Sequence, residues 1–387
     1  MKKIFSILSL LIIASSSLFA IGFGYHIFEV RSTPEFGEGV FPSSMLYQFN
    51  FPFPDLVTGS KTSLAFRLDN GLEYRNLRQN PVNGDLYAIT GVDHVTEYSV
   101  LFDEFNLIFS QGVVHSDFSN DDLLTFSFSV DGRFENAYER LSWMDGPNNT
   151  ERLFYVKDAK GDWVDRFSSY AAVPELAGDR SSFQTSMSFG LDVNFMKDDI
   201  TRRNGAKLSS WVRWAPEWMP MTDKTGQYIL SWTNLHLAYT PLSFKQDDPR
   251  NLSWFSTVID NSTTYRYITG GKVPQYIQGG DIYGTTSPNS KHVITNRLAL
   301  TLYGPQINSR DCYISATGFW DIAYSFGSVL NAIDAKNISE LSGSVGFRAN
   351  FMIFNIAEIF YEFGYVYDPV FNEDKYPSHK FGFTIGV

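Results

Sequence analysis

The chain has little cysteine, few charges and no long apolar run beyond its first residues, and each shortage narrows the class of protein. One cysteine, Cys312, in 387 residues excludes an intramolecular disulfide framework. Charged residues make up only 19% of the sequence, and the net charge of −11 argues against nucleic acid as a partner. No segment after residue 20 shows convincing helical periodicity or reaches the length of a membrane-spanning helix.

The apolar segment at the start of the chain has the order of a secretory signal peptide. Lys2 and Lys3 precede an apolar stretch over residues 4–13, and small residues follow up to Ala20. The stretch is shorter than the roughly 20 residues that a membrane-spanning helix needs. We therefore predict a cleaved signal peptide over residues 1–20 and one exported domain over residues 21–387.

The sequence is rich in strict alternation of apolar and polar residues. In residues 183–195, FQTSMSFGLDVNF, every odd position is apolar or threonine and every even position is polar or glycine. This period predicts a β-strand with one apolar and one polar face. Thirteen residues is long for a strand of a soluble protein, so the apolar face is expected to meet lipid and the polar face a lumen.

Similar segments recur along the chain. The clearest lie at 205–216, 227–240, 251–262, 292–304, 312–326, 341–351, 356–367 and 379–387, with weaker candidates at 22–30, 44–53, 60–69, 71–79 or 84–92, 97–112, 122–132 and within 144–181. The aromatic content of 16% suits the girdles of a membrane barrel. The predicted fold is all-β: a single transmembrane antiparallel β-barrel of about 16 strands in the bacterial outer membrane. A large soluble β-protein is the alternative.

Three features occur in a fixed order over residues 251–387. The longest clear loop, 263–290, contains Ile277-Gln278-Gly279-Gly280, a later strand contains Phe319-Trp320-Asp321, and the next contains Gly346-Phe347-Arg348. Their order and placement resemble the barrel of the BamA/TamA superfamily of outer-membrane assembly and secretion proteins, also called bacterial surface antigens. Gln278 stands where that family has an arginine. Strands are predicted almost directly after the signal peptide, so the family's POTRA domains are expected to be absent.

The resemblance implies a lumen gated by loop 263–290 and a role in the insertion or translocation of protein or lipid. It implies outer-membrane lipid and the outer-membrane assembly machinery as partners. The candidate loop anchors are Asp321, Arg348, Gln278, Gly279 and Phe319, and we expect Asp321 and Arg348 to point inward on adjacent strands and to pair. A porin-like diffusion channel and a surface-displayed antigen or adhesin barrel are alternative functions.

Other polar residues are assigned weaker roles. Arg297, Glu358 and Glu362 are expected to line the lumen and to tune ion selectivity. Lys380, Gly382, Ile385 and Val387 resemble the signal by which a last strand is recognised for insertion. The six histidines have no metal-ligand spacing, so neither a metal nor a cofactor is predicted. His115 and Ser116 are adjacent and would point to opposite faces of a strand, so no enzymatic activity is expected.

Overall fold

The computed structural model describes the strands and part of their connections. The described residues are 26–32, 43–51, 54–79, 86–88, 95–115, 122–139, 155–157, 159–165, 180–199, 201–222, 226–245, 253–270, 273, 290–304, 312–328, 340–353, 357–367 and 377–386. Within these ranges no helix has the length and apolarity to cross a membrane.

The described residues form eighteen strands. They are β1 (His26–Ser32), β2 (Ser43–Phe51), β3 (Thr62–Gln79), β4 (Leu86–Ala88), β5 (Val95–Val114), β6 (Leu124–Glu139), β7 (Tyr155–Lys157), β8 (Trp163–Asp165), β9 (Ser181–Asn194), β10 (Lys197–Asp199), β11 (Arg202–Ala215), β12 (Tyr228–Lys245), β13 (Ser253–Gly270), β14 (Ser290–Tyr303), β15 (Tyr313–Ser328), β16 (Glu340–Ile353), β17 (Ala357–Tyr367) and β18 (Pro377–Gly386).

Fourteen of the strands pair in a closed antiparallel ring. β1 pairs with β18, and the ladder runs through β2, β3, β5 and β6 to β9, which pairs with β11 and so returns through β12–β17 to β18. β4 is added to the edge of β3, β10 pairs with β11, and β7 pairs with β8 as a separate hairpin. The closed ring leaves no long sheet edge unpaired, as backbone groups in lipid require. The predicted transmembrane β-barrel is confirmed.

The ring has two strands fewer than the sequence suggests, for two identifiable reasons. The candidates 60–69 and 71–79 are one continuous strand, because Asn70 and Gly71 pair with Asp103 and Phe102 in the β3–β5 ladder. The strand placed within 144–181 is the small β7–β8 hairpin, which is not part of the wall. Each of these two differences removes one strand from the predicted ring.

The two faces of the wall are the reverse of those in a soluble protein. On β9, Phe189 is 50% exposed on the outer face, whereas Ser188 next to it is 1% exposed on the inner face. The large exposed side chains of the other strands are likewise mostly apolar, and most buried side chains of the inner face are polar. The apolar face of residues 183–195 therefore faces lipid, and the lumen is polar.

Aromatic rings lie on the outer face near both ends of the strands. Near one end, His292 stacks on Phe326 at 4.6 Å and contacts Tyr265 and Tyr267, and near the other Phe244 lies 6.2 Å from Phe255. The Trp-bearing turn after β11 belongs to the first end, where Trp218 is 69% exposed beside Trp214. These positions match the two girdles of a membrane barrel, with an apolar band between them.

Connections differ in length between the two ends, as expected. The end where β11 stops carries the connections 33–42, 80–94, 140–180, 216–227, 271–289, 329–339 and 368–376, and the opposite end carries 52–61, 115–123, 195–201, 246–252, 304–312 and 354–356. We call these the long-loop end and the short-loop end. Two sequence expectations are wrong here: residues 263–270 belong to β13, and the longest connection is 140–180. The continuation of β13 was missed because Thr263 and Thr269 on its outer face and Ile268 on its inner face break the strict alternation.

Candidate functional site

The charged residues of the wall are organised in groups around an arginine that lies on an aromatic ring. In the first group Arg297 of β14 holds Asp321 of β15 through two hydrogen bonds of 2.7 Å, from Nε and from a terminal nitrogen. Its guanidinium lies 4.6 Å from the centre of the Phe319 ring. Phe319 in turn lies across Gly346 of β16, where any Cβ would overlap the ring. The Ser344 hydroxyl donates to the same carboxylate at 3.2 Å.

The same arrangement is repeated two strands further along the ring. Arg348 of β16 lies 3.8 Å from the centre of the Phe360 ring, and Phe360 lies across Gly382 of β18. Arg348 donates to Glu358 at 3.0 Å and lies 3.6 Å from Glu362. We call Arg297–Phe319–Gly346 and Arg348–Phe360–Gly382 the two Arg–Phe–Gly triplets. In each, glycine provides the space for the ring, and the ring supports a cation.

A more enclosed group lies on the opposite side of the ring. Arg133 of β6 lies 4.1 Å from the centre of the Phe102 ring and donates to Glu104 at 3.1 Å and to Glu135 at 2.6 Å. Its side chain is 9% exposed, whereas that of Arg297 is 41% exposed to the lumen. The wall therefore has an enclosed charged sector around Arg133 and a water-accessible sector around Arg297.

The neighbours of Arg133 extend this enclosed sector to β9 and β11. Asp131 accepts hydrogen bonds from Ser129 at 2.9 Å and from Ser188 at 2.7 Å, and it lies 3.5 Å from Arg213. The buried charges of these strands thus have partners of opposite sign, as burial requires.

A further carboxylate group lies closer to the short-loop end. Asp260 lies 2.8 Å from Nε2 of His236 and 3.3 Å from a terminal nitrogen of Arg203. Together with the groups above, it shows that cross-strand ion pairing extends along the lumen.

The lumen also contains an apolar cluster at its long-loop end. Val273, three residues beyond the end of β13, is buried against Ala215, Tyr228, Leu230 and Ile268, with Trp232 beside them. Ala215, Tyr228, Leu230 and Ile268 lie on the inner faces of their strands by the alternation of burial. Val273 is therefore inside the mouth of the barrel and not over its rim.

Six predicted lumen residues lie on the inner face, but one predicted pairing is wrong. Asp321 is opposite Arg297 and Ser344 in the ladders, whereas Arg348 is opposite Thr317 and Glu362. Thr317 and Asp321 are four residues apart, about 13 Å along the strand. Asp321 and Arg348 therefore pair with Arg297 and with the two glutamates, respectively. Phe319, Arg297, Glu358 and Glu362 also lie at inner-face positions, and their proposed roles stay predictions.

The structure describes only some of the remaining predicted residues. Gln278, Gly279 and Val387 lie outside the described residues. The backbone of Lys380 pairs with that of Glu362, and Ile385 pairs with Phe28 and Ala357. Gly382 gains a structural role that the sequence did not suggest, because it accommodates Phe360.

Sequence reasoning missed the enclosed sector. Asp131, Arg133 and Glu135 are spaced by two residues, which places them on one face of a strand. The strand was predicted to end at residue 132, whereas β6 continues to Glu139. Following the alternation past Gly132 would have revealed the three charges.

Of the His115–Ser116 pair considered above, the structure describes only the histidine. His115 lies 3.4 Å from Asp122, and Ser116 is outside the described ranges. The described ranges contain no group of three or more His, Cys, Asp or Glu side chains that could hold a metal ion.

Removing the Asp321 carboxylate that Arg297 holds is expected to change ion selectivity. In Asp321→Asn, Arg297 keeps its charge beside the lumen water but loses its anionic partner, so permeability should shift from cations toward anions. The reversal potential across a KCl gradient measures the shift in planar bilayers. Asp103→Asn, which removes an outer-face carboxylate, is the matched control and should leave the potential unchanged. Equal shifts in the two variants would refute the assignment of Asp321 to the ion path.

Comparisons with known proteins give matches of low sequence identity among solved structures. No protein-family model and no protein of curated function matches the chain. Among solved structures, BamA from Haemophilus ducreyi lacking POTRA domains 1–3 matches with a TM-score of 0.45 at 13% identity, covering 93% of this chain and 69% of that one. CdiB from Escherichia coli matches with a TM-score of 0.48 at 8% identity, covering 94% and 62%. The TodX monoaromatic hydrocarbon channel matches with a TM-score of 0.37 at 10% identity, covering 94% and 88%.

Proposed function

We propose that the protein is an outer-membrane barrel that inserts or translocates protein or lipid, and that the connection between β13 and β14 gates its lumen. The supporting observation is the burial of Val273 among inner-face residues of β11, β12 and β13. Only residues 271 and 272 separate it from the end of β13. Val273 thus lies within the lumen only three residues beyond the end of the strand.

The end of β13 is packed closely against the residues at the start of β12. Gly270 ends β13 so close to the backbone of Gln227 and Tyr228 that a Cβ would collide with both. Burial of a valine side chain stabilises by about 1.5–3 kcal/mol, enough to bias a connection toward one position without making that position permanent. A gate needs this intermediate strength, since it must open during transport.

The pairing of lumen charges suits the passage of hydrophilic segments. Carboxylates on the inner wall are matched by arginines in both the enclosed and the water-accessible sector. A polymer crossing the lumen would therefore meet hydrogen-bonding groups but no large field of one sign. A lipid-directed exit is compatible with the seam between β1 and β18, which has six described register pairs against seventeen between β3 and β5.

A porin-like diffusion channel is the second candidate. The exposure of the Arg297 side chain to lumen water favours it, because a water-filled path past a charged residue conducts ions. The two candidates differ in whether the β13–β14 connection restricts the current in the resting state.

The test is the conductance of the refolded protein after the gate is removed. Replacing residues 272–288 with a two-residue Asn-Gly turn should raise single-channel conductance severalfold, because it removes Val273 from the mouth. Val273→Asp should produce a smaller rise with more frequent openings, since an unpaired carboxylate disfavours the buried position. Val273→Ile should behave like the wild type.

The matched control shortens a different connection at the same end. A similar shortening of residues 329–339 should leave the conductance unchanged. If neither shortening alters the current, the proposed gate is refuted, and a large steady wild-type current would then support the porin-like alternative. A surface-displayed antigen barrel would be supported if neither the wild type nor any of these variants conducted ions.

A further inference from the structure

Three polar side chains hydrogen-bond to one another on the lipid-facing surface. Asn261 and Thr263 of β13 lie on the outer face, between Ile259 and Tyr265, which are exposed there. Asn296 of β14 lies between Ile294 and Leu298 on the same face. In the ladder, Thr263 is opposite Asn296 and Asn261 is opposite Leu298. We call Asn261, Thr263 and Asn296 the outer amide cluster.

The cluster lies near the middle of the apolar band. Along the outer face of β13, Asn261 is six residues from Phe255 near the short-loop end and six from Tyr267 near the long-loop end. With the rise per residue and the tilt of barrel strands, Asn261 is about 14 Å from either ring in depth along the membrane normal. Lipid at that depth offers no hydrogen-bond partner.

The cluster satisfies itself through an amide pair. Asn296 Nδ2 donates to Asn261 Oδ1 at 3.1 Å and to Thr263 Oγ1 at 2.8 Å, and Asn261 Nδ2 donates to Asn296 Oδ1 at 3.4 Å. A primary amide has two N–H donors and an oxygen with two acceptor positions. The Thr263 hydroxyl also donates to Asn261 Oδ1 at 3.4 Å. These contacts leave one N–H of Asn261 and one acceptor position of Asn296 unused.

We propose that the outer amide cluster is the centre of an interface with a second copy of this chain within the membrane. Copies inserted in the same orientation are related by a twofold axis along the membrane normal, so each patch meets its own equivalent at the same depth. Amides are complementary to themselves, since each supplies both donor and acceptor. The partner's Asn296 then faces Asn261 and the reverse, and the apolar side chains around them, including Leu235, Leu237 and Leu298, pack against their equivalents.

A second copy is the expected partner because of the depth and the chemistry of the outer amide cluster. A lipid tail cannot use the amides, and a soluble protein cannot reach mid-membrane. Another barrel would need polar groups at the same depth and the same spacing, which a second copy has by construction. The inference is independent of the gate proposed above, because it concerns only the outer face of β13 and β14.

Single-cysteine cross-linking in vesicles tests the interface. In a Cys312→Ser background, Leu298→Cys should form a disulfide dimer, because a residue beside the twofold axis meets itself. Val345→Cys, two strands away on the same row of the outer face, is the matched control and should stay monomeric. Equal cross-linking at both positions would indicate random collision and overturn the proposal.

A second measurement removes the amides. Asn261→Leu combined with Asn296→Leu should raise the dimer dissociation constant in detergent by about tenfold or more and abolish the Leu298→Cys cross-link. Ser210→Ala, a polar deletion elsewhere on the outer face, should change neither. The double variant should still show heat-modifiable migration, since leucine suits lipid. A wild-type protein that sediments as a monomer at every protein-to-lipid ratio would overturn the interface.

Discussion

Arg133→Met is expected to lower the free energy of unfolding by about 3–5 kcal/mol, because it leaves two enclosed carboxylates without their common partner. Arg133 bonds Glu104 from one neighbouring strand and Glu135 from its own, and it lies on the Phe102 ring. Methionine keeps most of the side-chain volume but supplies no charge. Urea unfolding of the protein in vesicles, followed by tryptophan fluorescence, measures the loss.

Two controls separate unpaired charge from lost packing. Adding Glu104→Gln and Glu135→Gln to Arg133→Met should recover most of the stability, since the repelling carboxylates are gone. Arg203→Met should cost only about 0–1 kcal/mol, because its partner Asp260 is partly exposed and keeps its contact with His236. Equal costs at Arg133 and Arg203 would contradict the dependence of the enclosed carboxylates on Arg133.

Leu191→Arg is expected to cost about 2–4 kcal/mol, because it places a charge in lipid near the bilayer midplane. Leu191 is on the outer face of β9, four residues from Phe195 near the short-loop end. It is opposite Ser210, which is four residues from Trp214 near the long-loop end. From this depth, an arginine side chain can bring its guanidinium to either interface only when it is fully extended along the wall.

The matched variant lies one residue further along the chain. Asp192 points into the lumen, so Asp192→Asn exchanges one hydrated polar group for another and should change stability little. Urea titration in vesicles of two thicknesses would show the difference most clearly, since a thicker hydrocarbon layer increases the cost at Leu191 only. Identical costs for the two substitutions would show that the faces of β9 are assigned wrongly.

The sequence predicted the features that depend on local alternation. Barrel class, strand positions from 183 onward, and the inward direction of Arg297, Asp321 and Glu362 all follow from a period of two, which a single strand already displays. Predictions failed where neighbouring strands decide the outcome. Asp321 and Arg348 were expected to pair because they share a face, but register between strands set their partners, and register is invisible in either strand alone.

Strand ends were the other point of failure. Asn70-Gly71 looks like a hairpin turn, yet it lies within β3, because long ladders on both sides hold an extended backbone there. Residues 263–270 lack strict apolar–polar alternation, because Thr263 and Thr269 lie on the outer face and Ile268 lies on the inner face. In both places pairing with neighbours outweighed local propensity, as is general for strands.

The two Arg–Phe–Gly triplets have a consequence for how the wall assembles. A strand that slips keeps its faces only if it moves by two residues, and most such slips exchange one polar lumen residue for another at little cost. A slip of β16 against β15 would instead move Ser344 or Arg348 under the Phe319 ring, where there is room for neither, and a slip of β18 against β17 would displace Gly382 from Phe360. The glycines thus disfavour slipped registers, and because the last strand carries one of them, a misplaced final strand would bring a larger residue against Phe360.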